Sequence, residues 1–165
     1  MDRLLREHLE ATYFAEYQVL RNELLEVLTD NDLSYRPGAA AFSLGELCRE
    51  IGDVEHSYVE ALRTFRQDFD WHNPDRRIER SVGALKEWYA DLDRRLAIAL
   101  EALTEDQVAT QRVTRDDFDV EAFSPLPPQE LDIYREALLI FYGKVSVYLR
   151  SMSKVLPGHW QAWVG

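Results

Sequence analysis

The sequence contains a single cysteine, Cys48, among its 165 residues, so an intrachain disulfide is impossible and a reducing compartment is compatible. Long hydrophobic runs are also missing, which excludes a transmembrane helix. The first residues, MDRLLREHLEATYF, lack the apolar core of a signal peptide. We therefore expect a cytoplasmic protein with no membrane partner.

Positive charge is scarce, because 19 Lys and Arg residues face 30 Asp and Glu residues and the net charge is −11. Such a chain repels phosphates, and no basic stripe offsets the repulsion. The cluster of Arg76, Arg77 and Arg80 is diluted by Asp75 and Glu79. We expect no nucleic acid partner. The length suits one domain, which we expect to span residues 1–165.

The sequence does contain apolar residues at helical spacing, in four long stretches. These stretches cover residues 2–28, 43 to about 74, 78–103 and 128–156. The second begins at a capping box formed by Ser43 and Glu46, and Pro128 suits the first position of the fourth. The pattern predicts an all-α protein, a four-helix bundle.

The connection between the third and fourth helices is long, at about 25 residues, and could cross the bundle. Alternating apolar residues around Val113, Phe118 and Val120 permit a short hairpin there. After the fourth helix, we expect Trp160 and Trp163 of the tail to dock on the bundle.

Polar residues within the apolar faces mark the candidate site, since bundle interiors host such sites. At about 100° per residue, Glu16 and Glu55 fall inside the first and second helices, and Glu50 falls at the edge of the second. Tyr134 faces inward on the fourth helix, and Tyr142 is peripheral. On the functional interpretation, these five side chains line a polar cleft that binds a ligand.

The alternative interpretation is structural. The glutamates would then lie near the rim of the bundle and reach solvent or an arginine such as Arg49 or Arg135, and the tyrosines would be core rings. Cys48 would be a packing thiol, since no histidine is placed to activate it.

Histidines at metal-ligand spacing are missing, because none of the four forms a His-x-x-x-His pair. Asp53 and His56 lie three apart, as in one half of a di-iron site, but a second pair is absent and His56 points away from the apolar face. His72 and His159 are interpreted as surface or packing residues. We expect no metal and no cofactor.

The segments FSLGELCREIGDVEHSYV and VYLRSMSKVLPGHWQAWVG resemble the DinB/YfiT-like superfamily, and the resemblance covers nearly the whole chain. It implies an up-down-down-up bundle, often a homodimer. Many members hold a divalent metal with three histidines, and some are thiol-dependent transferases or isomerases. The histidine positions fall here on Glu50, Ala137 and Phe141, or on Leu138 and Tyr142 in helix four after a shift of one residue. The resemblance therefore implies a degenerate metal site, since zinc, nickel or iron wants three or four ligands.

Two hypotheses about function remain. The first is a metal-free small-ligand-binding or interaction module. The second is an enzyme, either a thiol transferase, isomerase or hydrolase-like protein with an atypical site, or a metal-free acid–base catalyst. In that last case Glu50 or Glu55 would be the base and Tyr142 the acid. The catalytic residues, the substrate and the dimer interface are not determined by the sequence.

Overall fold

The computed structural model describes residues 16–115 and 123–163. Its elements in chain order are α1 (Gln18–Val27), α2 (Leu44–Thr64), β1 (Arg66–Gln67), α3 (Val82–Ala102), α4 (Glu105–Thr110), β2 (Thr114–Arg115), α5 (Pro127–Ser151) and α6 (Gly158–Trp163). Two 3₁₀ turns, Asp30–Ser34 and Arg76–Glu79, precede α2 and α3. The all-α prediction is confirmed. Most of the first predicted helix, residues 2–15 with His8, lies outside the described residues.

Helix α2 is central, because it packs along both α3 and α5, while α1 contacts α3. The leucines of the predicted stripes meet in one core, and Leu92, Leu96 and Leu138 have no exposed surface. Burial of each such side chain stabilises the fold by about 1.5–3 kcal/mol relative to exposure. No helix in the described part of the chain is long and apolar enough to span a membrane.

The start of α2 is as predicted. The Ser43 hydroxyl accepts a hydrogen bond from the Glu46 amide at 3.1 Å, and the Glu46 carboxylate accepts one from the Ser43 amide at 2.6 Å. The end of α2 differs from the prediction, because the helix stops at Thr64 rather than near Pro74. Phe65 adopts the left-handed conformation (φ 58°) and its carbonyl accepts a hydrogen bond from Thr114. A tertiary pairing therefore ends this helix.

The third helix begins at Val82 instead of residue 78, because the Ser81 hydroxyl caps it and Ile78 belongs to the preceding 3₁₀ turn. The long connection holds α4 and β2, and β2 pairs in parallel with β1. Val113 was predicted to belong to an antiparallel hairpin. It instead directly precedes β2, which pairs in parallel with β1. The rest of the predicted hairpin, around Phe118 and Val120, lies outside the described residues.

Helix α5 begins at Pro127, one residue before the predicted start, and ends at Ser151. Trp160 docks as predicted, because it is fully buried and its indole N–H donates to the Leu20 carbonyl at 2.8 Å. Trp163 stays half exposed and packs against the Tyr17 ring in a T-shaped arrangement, with centroids 5.8 Å apart.

Candidate functional site

A cavity of about 440 Å³ opens between α2 and the loop that follows β1. Its floor is one face of α2, where lining residues recur at helical spacing. One side is closed by Phe42, which precedes α2, and the other by Phe69 and His72 of the loop. The lining residues are Phe42, Glu46, Arg49, Glu50, Asp53, Val54, Phe69 and His72.

A smaller groove of about 160 Å³ lies between α2 and α5. It shares Glu50 and Val54 with the cavity, so the two spaces adjoin along the same helix. Its walls are mostly apolar, with Glu50 on the α2 side and Lys144 on the α5 side. The remaining lining residues are Leu47, Ile51, Ala137, Ile140 and Phe141.

The ring of His72 is held by Asp53. His72 Nδ1 lies 3.1 Å from Asp53 Oδ2, and the Asn73 amide donates to Asp53 Oδ1 at 2.9 Å. Because an ionised carboxylate only accepts hydrogen bonds, Nδ1 is the donor in this contact, and in the neutral ring Nε2 is then an acceptor. Sequence reasoning treated His72 as a surface or packing residue and missed the pair, since its partner lies 19 positions earlier in α2.

The other charges around the cavity are mostly neutralised. Arg49 pairs with Glu79 at 2.8 Å, and Arg36 pairs with Glu46 at 2.9 Å. Hydrogen bonding from the Ser43 amide, followed by the Arg36 interaction, lowers the pKa of Glu46 despite some desolvation. In the described ranges 16–115 and 123–163, no ion pair or hydrogen bond is found for the Glu50 side chain.

Glu55 is buried, as its inward position predicted, but it lies in the core and does not line the cavity. Its partner is Arg21 of α1 rather than Arg49 or Arg135. Arg21 also contacts Asp93 at 2.6 Å. Burial raises the pKa of Glu55 to about 7, although the Arg21 guanidinium opposes the shift.

The prediction that Glu16 points inward is wrong, because this side chain is exposed. Glu16 and Tyr17 form a short π-helical segment before α1. A π turn advances the chain by less than 100° per residue, so the angle used to place Glu16 relative to the stripe does not apply there.

The prediction that Tyr142 is peripheral is also wrong. Tyr142 is fully buried, its hydroxyl donates to the Tyr17 carbonyl, and Trp160 packs on its ring edge to face at 5.1 Å. The tail segment thus covers a face that a helical wheel leaves open. Tyr134 is fully buried as predicted, and its hydroxyl has no hydrogen-bond partner within the described residues. Burial raises the pKa of both hydroxyls.

The predicted cleft therefore does not form as a single cluster. Glu50 reaches the cavity, Glu16 lies at the surface, and Glu55, Tyr134 and Tyr142 belong to the core.

Cys48 is fully buried, as expected for a packing thiol. Its carbonyl accepts a hydrogen bond from the Tyr89 hydroxyl at 2.6 Å. Burial raises the pKa of the thiol to about 12, so it is not a reactive thiolate at neutral pH.

The three positions that the family resemblance places at metal ligands do meet. Glu50, Ala137 and Phe141 line the same groove. However, a methyl group and a phenyl ring donate no electron pair to a metal. The shifted alternatives, Leu138 and Tyr142, are both buried in the core, and the Tyr142 hydroxyl is bonded to the Tyr17 carbonyl. No group of three or more His, Cys, Asp or Glu side chains could hold a metal within residues 16–115 and 123–163. These residues do not fit a three-histidine metal centre.

No protein-family model matches this sequence, and no curated protein does either. Crystal structures that match its fold include those of two DinB-like proteins. The DinB-like protein YjoA of Bacillus subtilis has a TM-score of 0.67 at 20% identity, covering 90% of this chain and 95% of its own. A DinB-like protein of Bacillus cereus has a TM-score of 0.70 at 17% identity, covering 92% and 95%. The helical architecture that the sequence predicts is therefore the DinB-like fold.

Proposed function

We propose that this DinB-like protein binds a small organic molecule in the cavity along α2. The observation that carries the proposal is the cavity itself, whose volume of about 440 Å³ lies in the range of small-molecule sites, roughly 300–1,000 Å³. Two aromatic rings, Phe42 and Phe69, supply apolar contact area, and Arg49, Glu50 and His72 supply polar groups that could fix an orientation.

The test uses three probes of similar size: benzylamine, benzyl alcohol and benzoate. The binding of each is measured by NMR chemical-shift titration. At least one should bind the native protein with a dissociation constant near millimolar, about 4 kcal/mol. Val54→Trp, which fills the junction of cavity and groove, should abolish binding. Ile98→Trp on the exposed face of α3 is the matched control. Absence of binding by all three probes, or binding that survives Val54→Trp, would refute the proposal.

We further propose that binding at this site is metal-free, as the side chains in the groove support. Purified protein should contain no stoichiometric metal, and Zn²⁺, Ni²⁺ or Fe²⁺ should not raise its melting temperature. Stoichiometric metal that is lost in Glu50→Gln would contradict this part of the proposal.

The second candidate is a metal-free acid–base enzyme, favoured by the Asp53–His72 pair. His72 Nε2 would take a proton from water, hydroxide would add to an ester carbonyl, and the alkoxide or phenolate would leave. Glu55 and Tyr142 are poorer candidates for the base and the acid. Glu55 is paired with Arg21 in the core, and the Tyr142 hydroxyl donates to the Tyr17 carbonyl. Hydrolysis of p-nitrophenyl acetate that His72→Ala abolishes and Asp53→Asn weakens would favour this function. Equal rates in all three proteins would exclude it for this ester.

We also propose that one domain over residues 1–165 forms a cytoplasmic homodimer through α5. Ile140 and Val147, seven residues apart on one helical face, are 60% and 57% exposed. Val147→Glu should convert a dimer to a monomer in light scattering, while Ile98→Glu on α3 should not. A native monomer would refute the homodimer.

A further inference from the structure

From the charges around the cavity, we infer that its ligand is an organic cation, a protonated amine with an apolar body, and that Glu50 receives the ammonium group. This inference rests on the proposed function. Three carboxylates and one guanidinium line the cavity, so negative charge is in excess there. A site with excess negative charge disfavours anions and attracts cations.

Two of the three carboxylates already have partners. Glu46 accepts hydrogen bonds from Arg36 and the Ser43 amide, and Asp53 accepts them from His72 and the Asn73 amide. Glu50 has no such partner in the described part of the chain. Glu50 is exposed and therefore solvated, but among the described residues no protein donor competes there with the ammonium group of a ligand.

The position of Glu50 matters as much as its charge. It lines both the cavity and the groove, as Val54 also does, so a ligand in either space lies beside this residue. Lys144 lines the far side of the groove, but its ammonium makes no ion pair among the described residues. Lys144 does not line the larger cavity. Arg49 does, but it is paired with Glu79 at 2.8 Å and lies 3.7 Å from Asp53.

The apolar part of the ligand would pack against Phe42, Phe69 and Val54, which line the same cavity. Phe42 is 59% exposed, so it offers a large aromatic surface to a ligand. Aromatic faces attract cations by about 0.5–1 kcal/mol at exposed sites. A ligand that combines an ammonium group with an apolar body therefore uses both features of the cavity, whereas a carboxylate ligand would meet Glu50 as a like charge.

The experiment compares the affinities of benzylamine, benzyl alcohol and benzoate at pH 7, because these probes share a ring and differ in charge. Benzylamine should bind the native protein about threefold more tightly than benzyl alcohol, and benzoate should bind most weakly. In Glu50→Gln, benzylamine should lose this advantage while the affinity for benzyl alcohol stays within about twofold.

The control variant is Glu101→Gln, which makes the same change in net charge on an exposed position of α3 outside both spaces. It should keep the preference for benzylamine. Equal binding of all three probes that Val54→Trp abolishes would leave the proposed function standing and overturn this inference. A preference for benzylamine that survives Glu50→Gln would also overturn it. If no probe binds, the proposed function fails and the inference fails with it.

Discussion

Arg21 and Glu55 form an ion pair at the centre of the bundle in which neither side chain has any exposed surface. The guanidinium carbon of Arg21 also lies 4.2 Å from the centroid of the Tyr89 ring, and its second amino group reaches Asp93. The pair joins α1 to α2, and Asp93 extends the link to α3. Desolvating two charges is costly, so this arrangement fixes how the helices meet more than it adds stability.

Removing Arg21 alone should therefore be severe. Arg21→Met leaves the Glu55 carboxylate buried without its partner, and the free energy of unfolding at pH 8 should fall by about 3–5 kcal/mol in urea denaturation. The double variant Arg21→Met with Glu55→Leu should recover most of this loss, because both charges are gone and the volume is filled. A double variant as unstable as the single one would contradict this account of the pair.

Stability should depend on pH through Glu55. Burial raises its folded pKa from the ordinary 4.5 to about 7, so the folded state holds a proton that the unfolded state has released. The contribution of Glu55 to the free energy of unfolding is therefore fully present below pH 4.5 and is lost as pH rises through about 7. Relative to Glu55→Gln, the native protein should lose stability as pH rises from 5 to 8, by no more than about 1.36 kcal/mol for each pH unit.

The comparison with Glu55→Gln is needed because His56 titrates nearby with the opposite sign. Burial and then Arg95 lower the pKa of His56, which makes the fold more stable as pH rises. His56 is present in both proteins, so the difference between them isolates Glu55. A native-minus-variant difference that does not change with pH would rule out a raised pKa for Glu55.

Glycines of α2 and α5 should respond in opposite directions to alanine. A Cβ at Gly45 would overlap the Glu79 carbonyl, which is backbone and cannot move aside, and one at Gly52 would overlap the Trp88 ring. Gly143 has no neighbouring atom within 4 Å of that position. Gly45→Ala and Gly52→Ala should lower the melting temperature, and Gly143→Ala should raise it through about 0.5–1 kcal/mol of helix propensity. A higher melting temperature for Gly45→Ala would disprove the close packing.

Asp53 should fix the loop that carries His72. Asp53→Ala removes the acceptor for the Asn73 amide, and a hydrogen bond to a charged group is worth about 1.5–3 kcal/mol. The Asn73 amide should then exchange its hydrogen at least tenfold faster by NMR. Asp68→Ala, which removes an exposed acceptor of the Asp70 amide, is the control and should leave Asn73 unchanged. Unchanged exchange in Asp53→Ala would mean that other contacts hold the loop.

Local sequence was enough to place α2, α3 and α5 and the cap at Ser43, because helical periodicity and capping act over three or four residues. It also placed Glu55 inside and Glu50 at the edge of α2, since both follow from one rotation angle. It failed at Phe65, where the chain leaves the helix to meet Thr114, 49 residues away, and at Tyr142, which the tail covers.

The sequence by itself determined an acidic, all-α chain with DinB-like helices and no histidine at the expected ligand positions. Only the tertiary structure decided that Arg21 neutralises Glu55, that a loop brings His72 onto Asp53, and that Glu50 joins two adjoining spaces without a partner of its own among the described residues. Helical periodicity fixes which way a side chain points from its own helix. What it meets there depends on how all the elements pack together, which no local pattern encodes.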